Sequence, residues 1–236
     1  ERCVKNIETR HYFDIAVIGY GSEAYSAWNG NLEGRDFVSP EEIRDNPFQK
    51  KMIKEEVRTR KGLTVKEVER KQWMTARHDG NWTRMDKALR RAEGLLESWM
   101  KEHHDKDCYP PTIINITDGE YNGVTDDEML QLANQLKSMF TNDGNVLFFN
   151  IHIVPGHSES VVFPATVGEL NNNGYGEKLF NMSSLLPLNY NEQIRGIFGD
   201  RQTDIRYRAM GVNAGMERLV KMMKIGTLSS TLANQL

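Results

Sequence analysis

Cysteine occurs only twice in the 236 residues, at Cys3 and Cys108. That is too few for a disulfide framework, and a chain of this length does not need one for stability, so the default setting is a reducing compartment. Long apolar runs are also missing. Stretches such as residues 146–154 (VLFFNIHIV) fall far short of the ~20 residues that cross a bilayer, so no transmembrane helix is encoded. Neither sign of charge dominates: 30 Lys+Arg stand against 33 Asp+Glu, for a formal net charge of -3. At the level of the whole chain nothing points to nucleic acid or to a membrane surface as partner, and any binding chemistry must be local. Repeats, low-complexity segments and Gly/Ser linkers are absent too, which leads to a single domain over residues 1–236. What remains is 39% hydrophobic and 27% charged residues with a mean hydropathy of -0.60, the composition of a soluble globular chain.

Residues 12–19 (YFDIAVIG) are apolar, β-branched and aromatic, closed by Gly19-Tyr20-Gly21, and read as a strand with residues 24–28 as a possible return strand. Ser39-Pro40-Glu41-Glu42 has the cap, proline and acids of a helix start. From it the reading runs a charged helical insert over residues 41–78, because mixed-sign charge normally marks an exposed helical face. Met85, Ala88, Leu89, Ala92, Leu95, Leu96, Trp99 and Met100 then recur at helical spacing. Residues 112–117 (TIINIT) form a short strand running into Asp118-Gly119-Glu120. Thr125-Asp126-Asp127-Glu128 is a capping box before an amphipathic helix, and residues 146–154 are a further buried strand. Helices are also expected over residues 177–186 and 212–225. Strands alternating with helices at this spacing predict an α/β fold, a doubly wound and mainly parallel central sheet flanked by helices.

In such sheets ligands bind beyond the carboxyl ends of the strands, which singles out Asp118. Thr83 lies just before a long helix, where its plain role is an N-cap, and its loop can also present the hydroxyl at the same edge. Together the two offer hard oxygen donors to a divalent cation such as Mg²⁺, which prefers oxygen ligands and retains several waters. Other chemistries are poorly supported. The six histidines lack a zinc spacing. Ser158, Ser160, Ser183 and Ser184 lack a Gly-x-Ser-x-Gly elbow. Gly19-Tyr20-Gly21-Ser22-Glu23-Ala24 has the outline of a dinucleotide loop but is followed by a strand-like segment where a helix is required.

The ordered segments Asp14 to Gly21, Gly80-Asn81-Trp82-Thr83 with Ala88-Leu89, and Ile113-Ile114-Asn115-Ile116-Thr117-Asp118-Gly119 resemble a von Willebrand factor A domain. Residues 179–187 and 208–214, with Lys224-Ile225-Gly226-Thr227, are similar to its bacterial intracellular members. The resemblance implies a metal-ion-dependent adhesion site, in which an Asp-x-Ser-x-Ser loop, a Thr and an Asp surround Mg²⁺ or Mn²⁺. Thr83 and Asp118 fall on the second and third of those loops. A carboxylate from a partner protein would complete the coordination. The Asp-x-Ser-x-Ser loop occurs nowhere in the chain. The pattern is entered near the end of the family's first helix, so the reading treats the domain as N-terminally incomplete. It expects a preceding segment of about 30–40 residues, the length of a strand, loop and helix.

The function so implied is non-enzymatic. It is a metal-dependent protein-interaction module in a bacterial cytoplasmic complex or signalling system, with a protein partner recognised through an acidic side chain and with neither nucleic acid nor membrane. The alternatives are an accessory subunit of an ATP-driven, chelatase-like complex, or an extracellular adhesin, which would need an export signal.

Overall fold

A computed structural model describes residues 4–5, 8–9, 11–59, 62–77, 82–156, 159–170, 174–199 and 202–226. The chain divides into two compact units, Glu1–Asn81 and Trp82–Leu236, where the sequence reading has one domain. Among the described residues, no helix is long and apolar enough to cross a membrane.

In the first unit, β1 (Val4–Lys5) and β2 (Glu8–Thr9) pair antiparallel, as do β3 (Ile18–Tyr20) and β4 (Ala24–Ser26). The Gly19-Tyr20-Gly21 segment therefore belongs to a hairpin, with Gly21 N–H donating to the Glu23 carbonyl at 3.1 Å, and it opens no helix. A small core of Trp28, Leu32 and Val38, with Ile15, Val17, Ile43 and Trp73 packed on it, holds this unit together. The helix α1 (Pro40–Asp45) starts as its sequence dictates: Ser39 and Glu42 form a reciprocal capping box with proline in the first turn.

The expected helical insert over residues 41–78 is corrected here. After α1 the chain forms two antiparallel strands of 11 residues each, β5 (Gln49–Thr59) and β6 (Gly62–Gln72), paired from Gln49↔Gln72 to Thr59↔Gly62. The Lys, Glu and Arg content favours a helix by propensity. Two local signals oppose it. Ile53, Val65 and Val68 are β-branched residues at strand positions, and Gly62 takes φ +116, a conformation suited to the end of a hairpin connection. At the ribbon's base Trp73 Nε1–H donates to the Ile43 carbonyl and Asn29 N–H to the Trp73 carbonyl, tying β6 to the small core.

The second unit carries α2 (Met85–Glu102), β7 (Thr112–Thr117), α3 (Asp126–Ser138), a short hairpin of β8 (Phe140–Thr141) and β9 (Gly144–Asn145), and β10 (Leu147–His152). Next come β11 (Val161–Val162), α4 (Gly174–Met182), α5 (Asn191–Phe198), β12 (Met210–Val212) and α6 (Met216–Gly226). Four strands form one mixed sheet in the order β11-β12-β10-β7. In it β7, β10 and β12 are parallel and β11 is antiparallel to β12. Fold class at this level is mixed α/β, with six helices among the described residues. Of the expected strand at residues 12–19 only Ile18 and Gly19 lie in a strand, β3, which pairs with β4 rather than joining this sheet, and Ile15 makes an isolated bridge to Val38.

Every residue of β10 is buried, as its mainly apolar run predicts. Leu147, Phe149 and Ile151 point to a core shared with Ile194 of α5 and Met222 and Ile225 of α6. The alternate residues face α4. There Asn150 Nδ2 donates to the Leu179 carbonyl (3.2 Å) and to Ser183 Oγ (3.0 Å), while its Oδ1 accepts from Asn115 Nδ2 at 2.9 Å. Asn115 and Asn150 are register partners on β7 and β10, so this polar chain crosses the sheet at one level. Ser184 exchanges two bonds with Phe148, its Oγ accepting from Phe148 N–H and its N–H donating to the Phe148 carbonyl. Ser183 and Ser184 are thus buried fastenings between α4's end and the sheet.

Candidate functional site

Asp118 follows directly on β7, at the carboxyl end of a strand in the parallel part of the sheet, where the sequence places it. Three bonds fix its backbone. Gly119 N–H donates to Thr117 Oγ1 (3.1 Å), Glu120 N–H donates to Asp118 Oδ1 (3.3 Å), and His152 Nε2–H donates to the Asp118 carbonyl (2.7 Å). Gly119 has φ +93, and a Cβ there would lie 2.7 Å from Tyr175 Cβ and 2.8 Å from His152 Nε2. Only glycine fits that corner without strain. The Asp118 side chain itself is exposed.

His152 is 1% exposed. Because a carbonyl can only accept, its proton sits on Nε2, and Nδ1 is a buried acceptor with no partner among the described residues. Burial holds the imidazole below its ordinary value of 6.5, with the Asp118 carbonyl and then the Asp118 charge pulling the other way. A neutral imidazole on the neighbouring strand therefore props the Asp118 turn. Sequence spacing does not reveal that pairing, since the two residues meet only through strand register.

The Thr83 loop is brought to the same edge. Thr83 N–H donates to Asn122 Oδ1 at 3.0 Å, and Asn122 N–H donates to the Thr83 carbonyl at 3.2 Å. This reciprocal pair joins the segment before α2 to the loop that begins with Asp118. The N-cap role expected for Thr83 is corrected: α2 starts at Met85, its cap position is Arg84, and no side chain caps it. Arg84 instead grips Asp86 by two bonds, 2.8 and 2.7 Å, which hold the Asp86 carboxyl below its usual value. Thr83 is thereby left half-buried beside the Asp118 loop with its hydroxyl not committed to the helix end. Asp79, Gly80 and Asn81 of the same loop, and His157 and Ser158 beyond β10, lie outside the described residues.

A second fastening stands on the far side of the loop. Tyr121 Oη–H donates to Asp126 Oδ1 at 2.6 Å, and Lys178 of α4 pairs with Asp126 Oδ2 at 3.0 Å while lying over the Tyr121 and Tyr175 rings. The hydrogen bond from Tyr121, and then that from Lys178, hold the Asp126 carboxyl low. Burial, and then that same carboxylate, push the Tyr121 phenol up. Asp118 thus sits on a turn clamped by β10, by the Thr83 segment and by α4.

Two oxygen donors of the type a hard cation takes, the Thr83 hydroxyl and the Asp118 carboxylate, belong to loops that touch. Among the described residues there is no group of three or more His, Cys, Asp or Glu that could hold a metal ion. His103 and His104, at the end of α2, are used locally, His103 Nδ1–H on the Trp99 carbonyl and His104 Nδ1–H on the Lys101 carbonyl. Comparison of the chain with protein-family models, with curated proteins and with solved structures finds no match in any of the three.

Proposed function

We propose that the chain is a metal-ion-dependent protein-interaction module, similar to a von Willebrand factor A domain. In this reading its doubly wound sheet presents Thr83 and Asp118 to Mg²⁺ or Mn²⁺, and a carboxylate of a partner protein completes the site in a cytoplasmic assembly. The observation that carries the reading is the reciprocal bonding of Thr83 and Asn122, which seats the threonine loop on the aspartate loop at the carboxyl edge of β7. Parallel β7, β10 and β12, with α4 on one face and α5 and α6 on the other, support the doubly wound part.

The residues fit the cation in kind: both donors are hard oxygens, Asp118 is exposed, and Mg²⁺ is commonly held by one or two carboxylates with water filling the remaining positions. With a single carboxylate from this chain, affinity is expected to be weak. A bound divalent cation would supply an electron-poor centre with a position open to an incoming carboxylate. The chain's own residues do the rest. Gly119, His152 and Thr117 orient the Asp118 turn, and Asn122 holds Thr83 beside it. No catalytic step is part of this proposal.

Water-proton relaxation with Mn²⁺ tests it. The protein should enhance relaxation, and a short peptide with one Glu should lower the enhancement while its Gln counterpart leaves it unchanged. Equal effects of the two peptides would remove the carboxylate-recognition part of the reading.

A further inference from the structure

The near-neutral total conceals a strong segregation of charge. Residues 49–72, the β5–β6 ribbon and its connection, hold nine Lys/Arg and four Glu. The remainder of the chain holds 21 Lys/Arg against 29 Asp/Glu. A basic element on an otherwise acidic chain is the electrostatic footprint of a polyanion-binding arm.

The register says how that charge is displayed. Lys50 stands directly opposite Lys71, and Lys51 directly opposite Arg70, and all four are exposed. Since side chains alternate across a strand, the first pair lies on one face of the ribbon and the second on the other. Like charges directly opposite each other destabilise a strand pair. Two such rungs in succession weaken an element that packs neither face on a core. Arg70 has relief on its own face through Glu55 at 2.8 Å, and Lys71 has some from the Asp45 carboxylate outside the ribbon. Further along, Lys54↔Glu67 and Glu55↔Lys66 are opposite-charge rungs that neutralise the middle. Among the described rungs the excess positive charge is therefore concentrated toward the base.

The shape matches the charge. Strands of 11 residues are about 36 Å long at ~3.3 Å per residue. A two-stranded ribbon is one of the two elements that the ~12 Å wide major groove of a duplex admits. Cations on both faces suit a partner that surrounds the ribbon, as a groove does. A membrane surface would call for cations and apolar groups sorted to opposite faces. We propose that the β5–β6 ribbon binds double-stranded nucleic acid through its phosphates, with Lys50, Lys51, Arg70 and Lys71 as principal contacts.

The test is fluorescence anisotropy of the full chain with a labelled DNA duplex across a salt series. Non-specific binding of this kind has a Kd of ~10⁻⁴–10⁻⁶ M, and each lost phosphate contact lowers the slope of log K against log salt by about 0.9. The variant K50Q/K51Q/R70Q/K71Q should bind at least ~10-fold more weakly with a slope reduced by about 3.6. The pairs K50Q/K71Q and K51Q/R70Q should each give about half that change in slope. A charge-matched control, R90Q/K101Q/K106Q/K224Q, should keep both affinity and slope. No duplex binding by the unmodified chain at low salt, equal losses in the ribbon variant and the control, or binding of phosphatidylglycerol vesicles in place of DNA would each overturn the proposal.

Discussion

The β5–β6 ribbon and the β7–β10 pair are both two strands side by side, yet they are held by opposite means. In β7–β10 the partners Asn115 and Asn150 are buried and bonded to each other, and β10 has no exposed residue. In the ribbon most side chains face water on both sides, with Leu63 71% and Val65 61% exposed. A buried pair draws its stability from apolar area, about 25 cal/mol per Å², and from satisfied polar groups. A solvated ribbon has only its ladder and cross-strand pairs. The contrast teaches that the ribbon is carried by the first unit rather than supporting it, while the β7–β10 pair sets the geometry of everything at its carboxyl end, Asp118 included.

The largest effect that sharpens this contrast is expected at Asn150. Replacing it with Ala strips Asn115 and Ser183 of a buried partner and leaves the Leu179 carbonyl without that donor. Urea denaturation should show a loss of about 2–4 kcal/mol. Gly119→Ala comes next, at about 1–3 kcal/mol, because the new methyl must enter the space of Tyr175 and His152 at a positive φ. It should also weaken any binding that depends on Asp118, since the Asp118 turn moves.

A smaller effect lies in the pH dependence. The His152 imidazole is depressed below 6.5 in the fold, so on acidification the unfolded chain takes up the proton first. Its contribution to stability is therefore lost as pH falls from about 6.5 to the folded value and is flat below that. Stability measured against pH should be steeper over this window in the unmodified protein than in His152→Gln. The smallest effect belongs to the ribbon: Leu63→Thr should change stability by no more than about 0.5 kcal/mol, as expected for an exposed site. A large loss there would erase the contrast and make the ribbon a structural part of its unit.

Much of the second unit is legible in the residues because its signals are local. The Thr125-x-x-Glu128 box, the spacing of Met129, Leu132, Ala133 and Leu136, and the apolar run closed by His152 each specify an element within a few residues. The strand before Asp118 follows from the same logic, which is why its place at the sheet edge was readable. The ribbon was hidden because its charged residues favour helix and its strands bury no face, so no alternation of apolar and polar residues announces them. The cap of α2 was misplaced because Thr83 is bonded through its backbone to Asn122, 39 residues on, a partner no local pattern names. One signal did exist for the buried network. Ile114-Asn115-Ile116 and Phe149-Asn150-Ile151 each put a lone Asn in the middle of an apolar strand, and two such residues need each other.

The measurement closest to the central claim is a Mn²⁺ titration followed by the electron paramagnetic resonance signal of the free ion, run on the unmodified chain and on Asp118→Ala. Asp118 is exposed, and Asp118→Ala removes only the Glu120 N–H bond to Oδ1 while the bonds from Gly119 N–H to Thr117 and from His152 to the Asp118 carbonyl remain, so the variant should fold. The account predicts loss of free-ion signal at millimolar Mn²⁺ with the unmodified chain and none with Asp118→Ala. Identical titrations of the two would contradict it.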